Sequence, residues 1–344
     1  MLDIRNASTA VLIGAMYNLY RPSTFILDLA FPFEMTFDTE KVFWDEVADS
    51  RKMATFTPPD VRANRNQAQL YDTKSITAPY IKEDGIIKPG RALKRLAGEQ
   101  PLGELSPEQR FNLIALDDLL RYERMILRRK EWMACSILHT GSVTLTGENY
   151  AAPIVVDFDR NDDHQVVLTG SDRWGETGVS VISDIEDWAT TVQTTCGVAP
   201  RTVVMSGSAW RQARKDEEFR ESLDILRGGS SSIELGPIVP EDISHARYVG
   251  HCGDFEIWIY EQQVQDTDGT AISLMPANTV WMLSPAMEGV QAYGAIQSVD
   301  SLIPATLFPR IYPERNPDGL VAEVQAAPIT IPLRIDATFR ATVR

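Results

Sequence analysis

The 344 residues predict an α+β protein organised around one long helix. Three observations lead there. Strong capping chemistry opens at Ser106 and helical periodicity then runs to Gly141. Alternating, Pro-punctuated β segments lie on both sides of that stretch. A basic excursion near the N-terminus, rich in turns and poor in apolar residues, offers little core of its own. With 44% hydrophobic and 24% charged residues the chain has ample material for a core, and length allows one large domain or two modest ones.

In chain order, the first feature is the apolar run "TAVLIGAMYNLY" at 9–20. It is too short to span a membrane and lacks the basic leader of a signal peptide, so it reads as an N-terminal helix or arm that packs on something. Residues 35–60 read as short strands and turns ending at Pro58-Pro59. The basic excursion follows, to about residue 96. Between Arg51 and Arg95 ten basic side chains face four acidic ones, a local charge of +6 in a chain of net charge -15. The remainder therefore carries about -21, an asymmetry that favours contact between unlike patches, on a partner or on another copy. Within the excursion, "SITAPYI" and "GIIK" flank Glu83-Asp84-Gly85, which predicts a hairpin turning there. An isolated hairpin is marginal in water and needs another surface.

"LSPEQR" then announces a helix: Ser106 caps, Pro107 takes the first helical position and Gln109 completes a capping box. Phe111, Ile114, Leu119, Tyr122, Met125, Ile126, Met133 and Ile137 follow at helical spacing, over roughly 50 Å at 1.5 Å per residue. The alternating "SVTLTGENYAAPIVVDF" comes next. A second capped helix is expected from Ser183 to Gly197, then the strand "RTVVMS", a helical stretch from about Ser208 to Arg227, and strands around Asp266–Gly269. The last forty residues are β-like.

Phosphate-loop, dinucleotide, nucleophile-elbow, zinc-protease and C-x-x-C motifs are all missing. "DFDRNDDH" gathers Asp157, Asp159, Asp162, Asp163 and His164, but the tight Gly turn of a calcium loop is lacking, so a solvated acidic loop is favoured. Val264 spoils "DTDGT" as a cation loop, leaving a hairpin turn. His251-Cys252 near His245 has only one thiol and reads as ordinary packing. Cys135, Cys196 and Cys252 are odd in number and far apart, and read as reduced thiols. No nucleophile, base and orienting group converge, so no enzyme and no cofactor is expected. The acidic balance argues against a broad duplex-binding face.

Several stretches, taken in order, carry a family resemblance: "FDTEKVFWDEV" (37–47), "ALKRLAGEQPLGELSPEQR" (92–110), "HTGSVTLTGENYAAPIVVDFDR" (139–160), "YGAIQSVDSL" (293–302) and "FPRIYPERNPDGLVAEVQAAPITIP" (308–332). The chain resembles the lambda-type major capsid proteins of tailed bacteriophages, which have the Hong Kong 97 fold. The resemblance implies a shell protein that self-assembles into hexamers and pentamers around phage double-stranded DNA. It would lodge in the virion after assembly in the bacterial cytoplasm, without a membrane. It implies an N-terminal arm with lead-in strands (1–50), an extended loop reaching across a neighbour (51–96), and a peripheral domain with a spine helix at about 106–140 (97–182). An axial domain (183–298) and a return to the peripheral domain (299–344) complete it. It also implies a portal and a separate scaffold protein as partners, and allows a decoration protein. On this reading Lys74, Lys82, Glu83, Asp84, Lys88, Arg91 and Arg95 are candidates for contact between subunits. Relatives of the lambda type resemble one another in not cross-linking through Lys and Asn, so Lys74, Lys82 and Lys88 are not assigned that chemistry. Asp159 stands where a small residue is common in the family. The competing readings are a nanocompartment shell of the same fold and, further off, an enzyme with a β-rich accessory domain.

Overall fold

The computed structural model describes residues 24–47, 53–60, 62, 71–96, 105–147, 152–227, 246–266, 268–298, 304–316 and 318–344. The run 9–20, His245 and residues 63–70 of the basic stretch lie outside them. Six helices are described: α1 (Phe25–Ala30), α2 (Pro89–Ala92), α3 (Pro107–Thr140), α4 (Val181–Cys196), α5 (Gly207–Ala213) and α6 (Glu217–Arg227).

The 34-residue α3 is the axis of the molecule. Ser106 Oγ accepts from the Gln109 amide, while the Gln109 side chain accepts from the Ser106 amide at 2.8 Å. This satisfies two otherwise orphaned donors at once. At the other end Gly141 takes the left-handed conformation, φ 74°, that a side chain would resist. The N-terminal half buries Phe111, Ile114, Leu119, Tyr122 and Ile126 against a three-stranded sheet. That sheet runs Phe308–Arg315, Asp318–Ala326, Ile81–Ile87 in antiparallel order. The C-terminal half places Met133, Ile137 and Leu138 in a second core shared with α1 and the sheet of Phe33–Thr36, Val290–Tyr293 and Pro328–Ile331.

A six-stranded sheet forms the other body, in the order Gln165–Val167, Thr338–Thr342, Thr279–Leu283, Thr202–Met205, Phe255–Tyr260, Ala246–Cys252. Trp174, Trp188, Trp210, Phe219 and Phe339 fill the layer between it and α4, α5 and α6. Thr338–Thr342 joins this sheet rather than the one packed on α3, so sheet membership cuts across the boundaries at 298 and 182.

Four sequence expectations change. Glu83-Asp84-Gly85 is not a turn but the middle of the strand Ile81–Ile87. Gly85 is needed for space: a Cβ there would stand 2.1 Å from the Tyr122 hydroxyl. The antiparallel pair that does form is Lys41–Val47 with Tyr71–Thr77. Met125 is 38% exposed, because the α3 face turned to the sheet is followed by Tyr122 and Ile126, and Met125 falls beside it. The cap of α4 is Ser180, whose Oγ accepts from the Ser183 amide; Ser183 supplies the donor, not the cap. Finally, the stretch after Ser208 is two helices, broken where Asp216 accepts from the Glu218 amide and so caps α6.

Candidate assembly surface

The strand pair Lys41–Val47 and Tyr71–Thr77 is a two-stranded sheet of its own. Val42 is fully buried at its base, and Trp44 packs on Phe158 with ring centroids 6.1 Å apart. Lys74 Nζ lies 2.7 Å from Asp159 Oδ2. Asp159 has φ 54°, a left-handed conformation that favours glycine, asparagine or aspartate. Its amide donates to Asp157 Oδ1 at 3.0 Å, so the Asp157 side chain closes a local turn here. Within the ladder Phe43 is about half exposed, and beyond it Met53 is 93% exposed and Phe56 wholly exposed. Side chains of this size gain about 1.5–3 kcal/mol each on full burial, and nothing within the described subunit buries them.

The seven candidate contact residues fall into two groups. Four engage groups of their own subunit. Lys74 pairs with Asp159. Arg91 Nη1 reaches the buried Asp118 Oδ2 at 2.8 Å. Lys82 Nζ stands 5.1 Å from the centroid of the Tyr80 ring. Glu83 turns toward α3, where burial, then neighbouring Asp84, lifts its pKa against the pull of Arg129 and Arg121. The other three are exposed: Asp84 in register with Glu323, Lys88 immediately before α2, and Arg95 beyond it. The structure therefore does not gather the seven into one patch. Ile87 and Ala92, in the same segment, are core residues.

Sequence reasoning missed the polar groups that fasten the body together. Glu131, 1% exposed, accepts from the Ile26 and Leu27 amides at 2.9 Å each. It thereby caps α1, whose own N-cap Thr24 makes no side-chain cap bond. Tyr260 Oη donates to the same carboxylate at 2.8 Å. Burial raises the Glu131 pKa and outweighs these donors. At the far end of α3, Arg160 gives its two terminal nitrogens to the Ile137 and Leu138 carbonyls at 2.8 and 2.9 Å, a cation at the negative pole of the helix. Burial, with Arg340 nearby, presses the Arg160 pKa down to about 10. Burial, then Arg340 and Arg160, brings His139 down to about 4. One signal could have found Glu131 and Asp118: charges standing inside the apolar stripe of α3, where a buried charge demands a partner.

The residues weighed as metal ligands have other work. His164 is fully buried between the Thr338 carbonyl and the Thr195 hydroxyl, at 3.1 and 3.0 Å. Cys252 Sγ lies 3.3 Å from Ser222 Oγ. Asp266 and Gly269 close the hairpin between Gln263–Gln265 and Ala271–Ser273. All three cysteines are free thiols, and no helix among the described residues is long and apolar enough to cross a membrane.

Comparison with known proteins gives a consistent result. The family model described as phage major capsid protein E matches residues 8–343. The major capsid protein of Escherichia phage lambda is 26% identical over 330 residues, covering 94% of this chain and 95% of that one. The major capsid protein of Enterobacteria phage phi80 is 24% identical with the same coverage. Among solved structures, a prophage capsid protein from E. coli CFT073 superposes with a TM-score of 0.77 at 21% identity, over 98% of this chain and 99% of that chain. The capsid of cyanophage P-SCSP1u superposes at 0.52, over 94% and 89%.

Proposed function

The chain belongs to the phage major capsid protein E family, and from that premise we infer how it builds its shell. It is a major capsid protein of the tailed-phage kind, a structural protein of the virion with the Hong Kong 97-like fold. The relatives matched along the whole chain are phage head proteins, which favours a phage shell over a nanocompartment.

The observation that carries the assembly reading is the exposure of Met53 and Phe56. Apolar side chains that the subunit leaves bare are the expected core of a subunit interface. The extended loop, placed at 51–96 by the sequence, then has two parts. The outer part, with Met53 and Phe56, lies on the neighbouring subunit. The inner part, from Ile81 on, is a strand of the subunit's own sheet. The body packed on α3 is the peripheral domain, and the body of α4, α5 and α6 is the axial domain, whose loops meet at the centre of hexamers and pentamers. Lys88 and Asp84, exposed on the subunit, are available for charge pairing across the interface. Portal, separate scaffold and decoration proteins would complete the head, which encloses double-stranded DNA and forms in the host cytoplasm.

Replacing Met53 and Phe56 by Asp tests this reading. The variant subunit should fold with an unchanged melting temperature and fail to form shells. Normal shells from the double variant would remove the exposed pair from the interface.

A further inference from the structure

Among the described residues, six buried side-chain nitrogen or oxygen atoms have no hydrogen-bond partner. Five of them are nitrogens where the C-terminal end of α3 meets the six-stranded sheet: His139 Nδ1, Arg160 Nε, Trp258 Nε1, Trp281 Nε1 and Arg340 Nε. Arg340 and Trp281 stand directly opposite on neighbouring strands, where Cβ atoms are roughly 4.5–5.5 Å apart. Val204 and Trp258 continue the same row across the sheet. Trp281 and Val204 share a core with Ile137 and Leu138 of α3, while Phe339 and Ala341, beside Arg340 in its strand, fill the core on the sheet's other face. The row therefore faces the end of α3, which packs against Thr338–Thr342. Arg160 reaches the same place from below, with its terminal nitrogens on the Ile137 and Leu138 carbonyls. Burial, then Arg340 and Arg160, depresses the His139 pKa, so the three side chains feel one another's charge.

We propose that this junction holds a small monovalent inorganic anion of the chloride class, taken by Arg160 and Arg340 with the Trp281 indole N–H as a third donor. The ion would tie the end of α3 to the sheet, whether or not subunits assemble. Arginine and tryptophan nitrogens only donate, so what satisfies them is an acceptor. A buried donor left unpaired is costly, and two of these belong to cations, whose burial demands a counter-charge. Asp336 is the carboxylate whose charge reaches Arg160, and its Oδ1 already accepts from the Asn161 amide. It offsets one of the two guanidiniums, and one monovalent anion offsets the other. Water fits less well, because it carries no charge and must donate onward to acceptors of its own. The sixth orphan, Thr330 Oγ1, belongs to the other sheet, of Val290–Tyr293 and Pro328–Ile331. The Ile137 and Leu138 carbonyls, which would repel an anion, are covered by Arg160 itself. Arg160 is 7% exposed and Trp281 1%, so a small ion stripped of its water suits the place and the phosphate of a polymer does not.

Melting of the purified, unassembled chain in sodium chloride and in sodium gluconate at equal ionic strength tests the proposal. Gluconate screens charge as chloride does but is too large for a buried site. Chloride should raise the melting temperature along a saturating curve, by several degrees over gluconate, and Arg340→Gln should abolish the difference between the two salts. Equal melting in both salts would overturn the proposal. So would a chloride effect that persists in Arg340→Gln, which would mark a general effect of the salt. Crystals of the same chain grown in sodium bromide give the second arm, which needs no variant. Anomalous scattering should place a bromide within contact distance of Arg160 Nε and Arg340 Nε. Bromide found only elsewhere would overturn the site. Bromide at the junction without any chloride-dependent melting would make it an adventitious ion only, and would overturn the tie between α3 and the sheet.

Discussion

Glu131 shows how much one side chain contributes when it answers donors that nothing else reaches. Its two oxygens take the Ile26 and Leu27 amides and the Tyr260 hydroxyl. Glu131→Gln keeps the shape but turns an amide group toward one of those backbone donors. The expected loss is about 1–3 kcal/mol, the cost of a buried group left unsatisfied, measurable as a lower urea midpoint. His139 makes a pH-dependent contribution. In the folded subunit it stays neutral until about pH 4, while in the unfolded chain it takes up its proton near 6.5. Between those values the unfolded state binds more protons, so stability falls as pH falls through the window. The raised carboxylates, Glu131 and Glu83 among them, work in the opposite direction. The difference between wild type and His139→Gln isolates the imidazole: the variant should lose less stability between pH 6.5 and 4. Identical losses would mean that His139 titrates normally when folded.

At the level of elements, what could be read from the sequence followed the range over which each signal acts. The limits of α3 were legible because Ser106, Pro107, Gln109 and Gly141 act on their immediate backbone. The strand Ile81–Ile87 was misread as a turn because Glu83-Asp84-Gly85 is turn chemistry locally. What decides the matter is the pairing of this segment with Asp318–Ala326, and the Tyr122 hydroxyl, 37 residues away in sequence, crowds any Cβ at position 85. Gly85→Ala should therefore destabilise the subunit, and adding Tyr122→Phe should recover much of the loss by removing the clashing oxygen. No recovery would mean that Gly85 is required for some other reason. Deleting 74–90 would remove this strand together with Ile87 and should unfold the subunit. The part of the loop whose loss spares the fold is the outer one. The exposure of Met125 and the pairing of Lys74 with Asp159 were equally out of reach, since both depend on which elements meet.

For the whole molecule, the uneven charge noted in the sequence divides between two uses. Lys74, Arg91 and Asp118 pair within the subunit, while Lys88 stays exposed. Exposed pairs are worth only about 0–1 kcal/mol each and are screened beyond about 10 Å at 0.1 M salt. A shell repeats them across many identical interfaces, so assembly should respond to salt far more than the subunit's melting temperature does. With Lys74 held by Asp159 and Lys82 set over Tyr80, mature heads should give single-subunit bands on denaturing gels. A ladder of covalent multimers would return the lysines as reactive groups.

Electron microscopy of the purified chain, produced with a scaffold protein, tests most directly whether this subunit builds shells. The account predicts closed shells of uniform diameter, with ring-shaped capsomers as their precursors. Discrete particles of subunit size at every concentration and salt tried would contradict it.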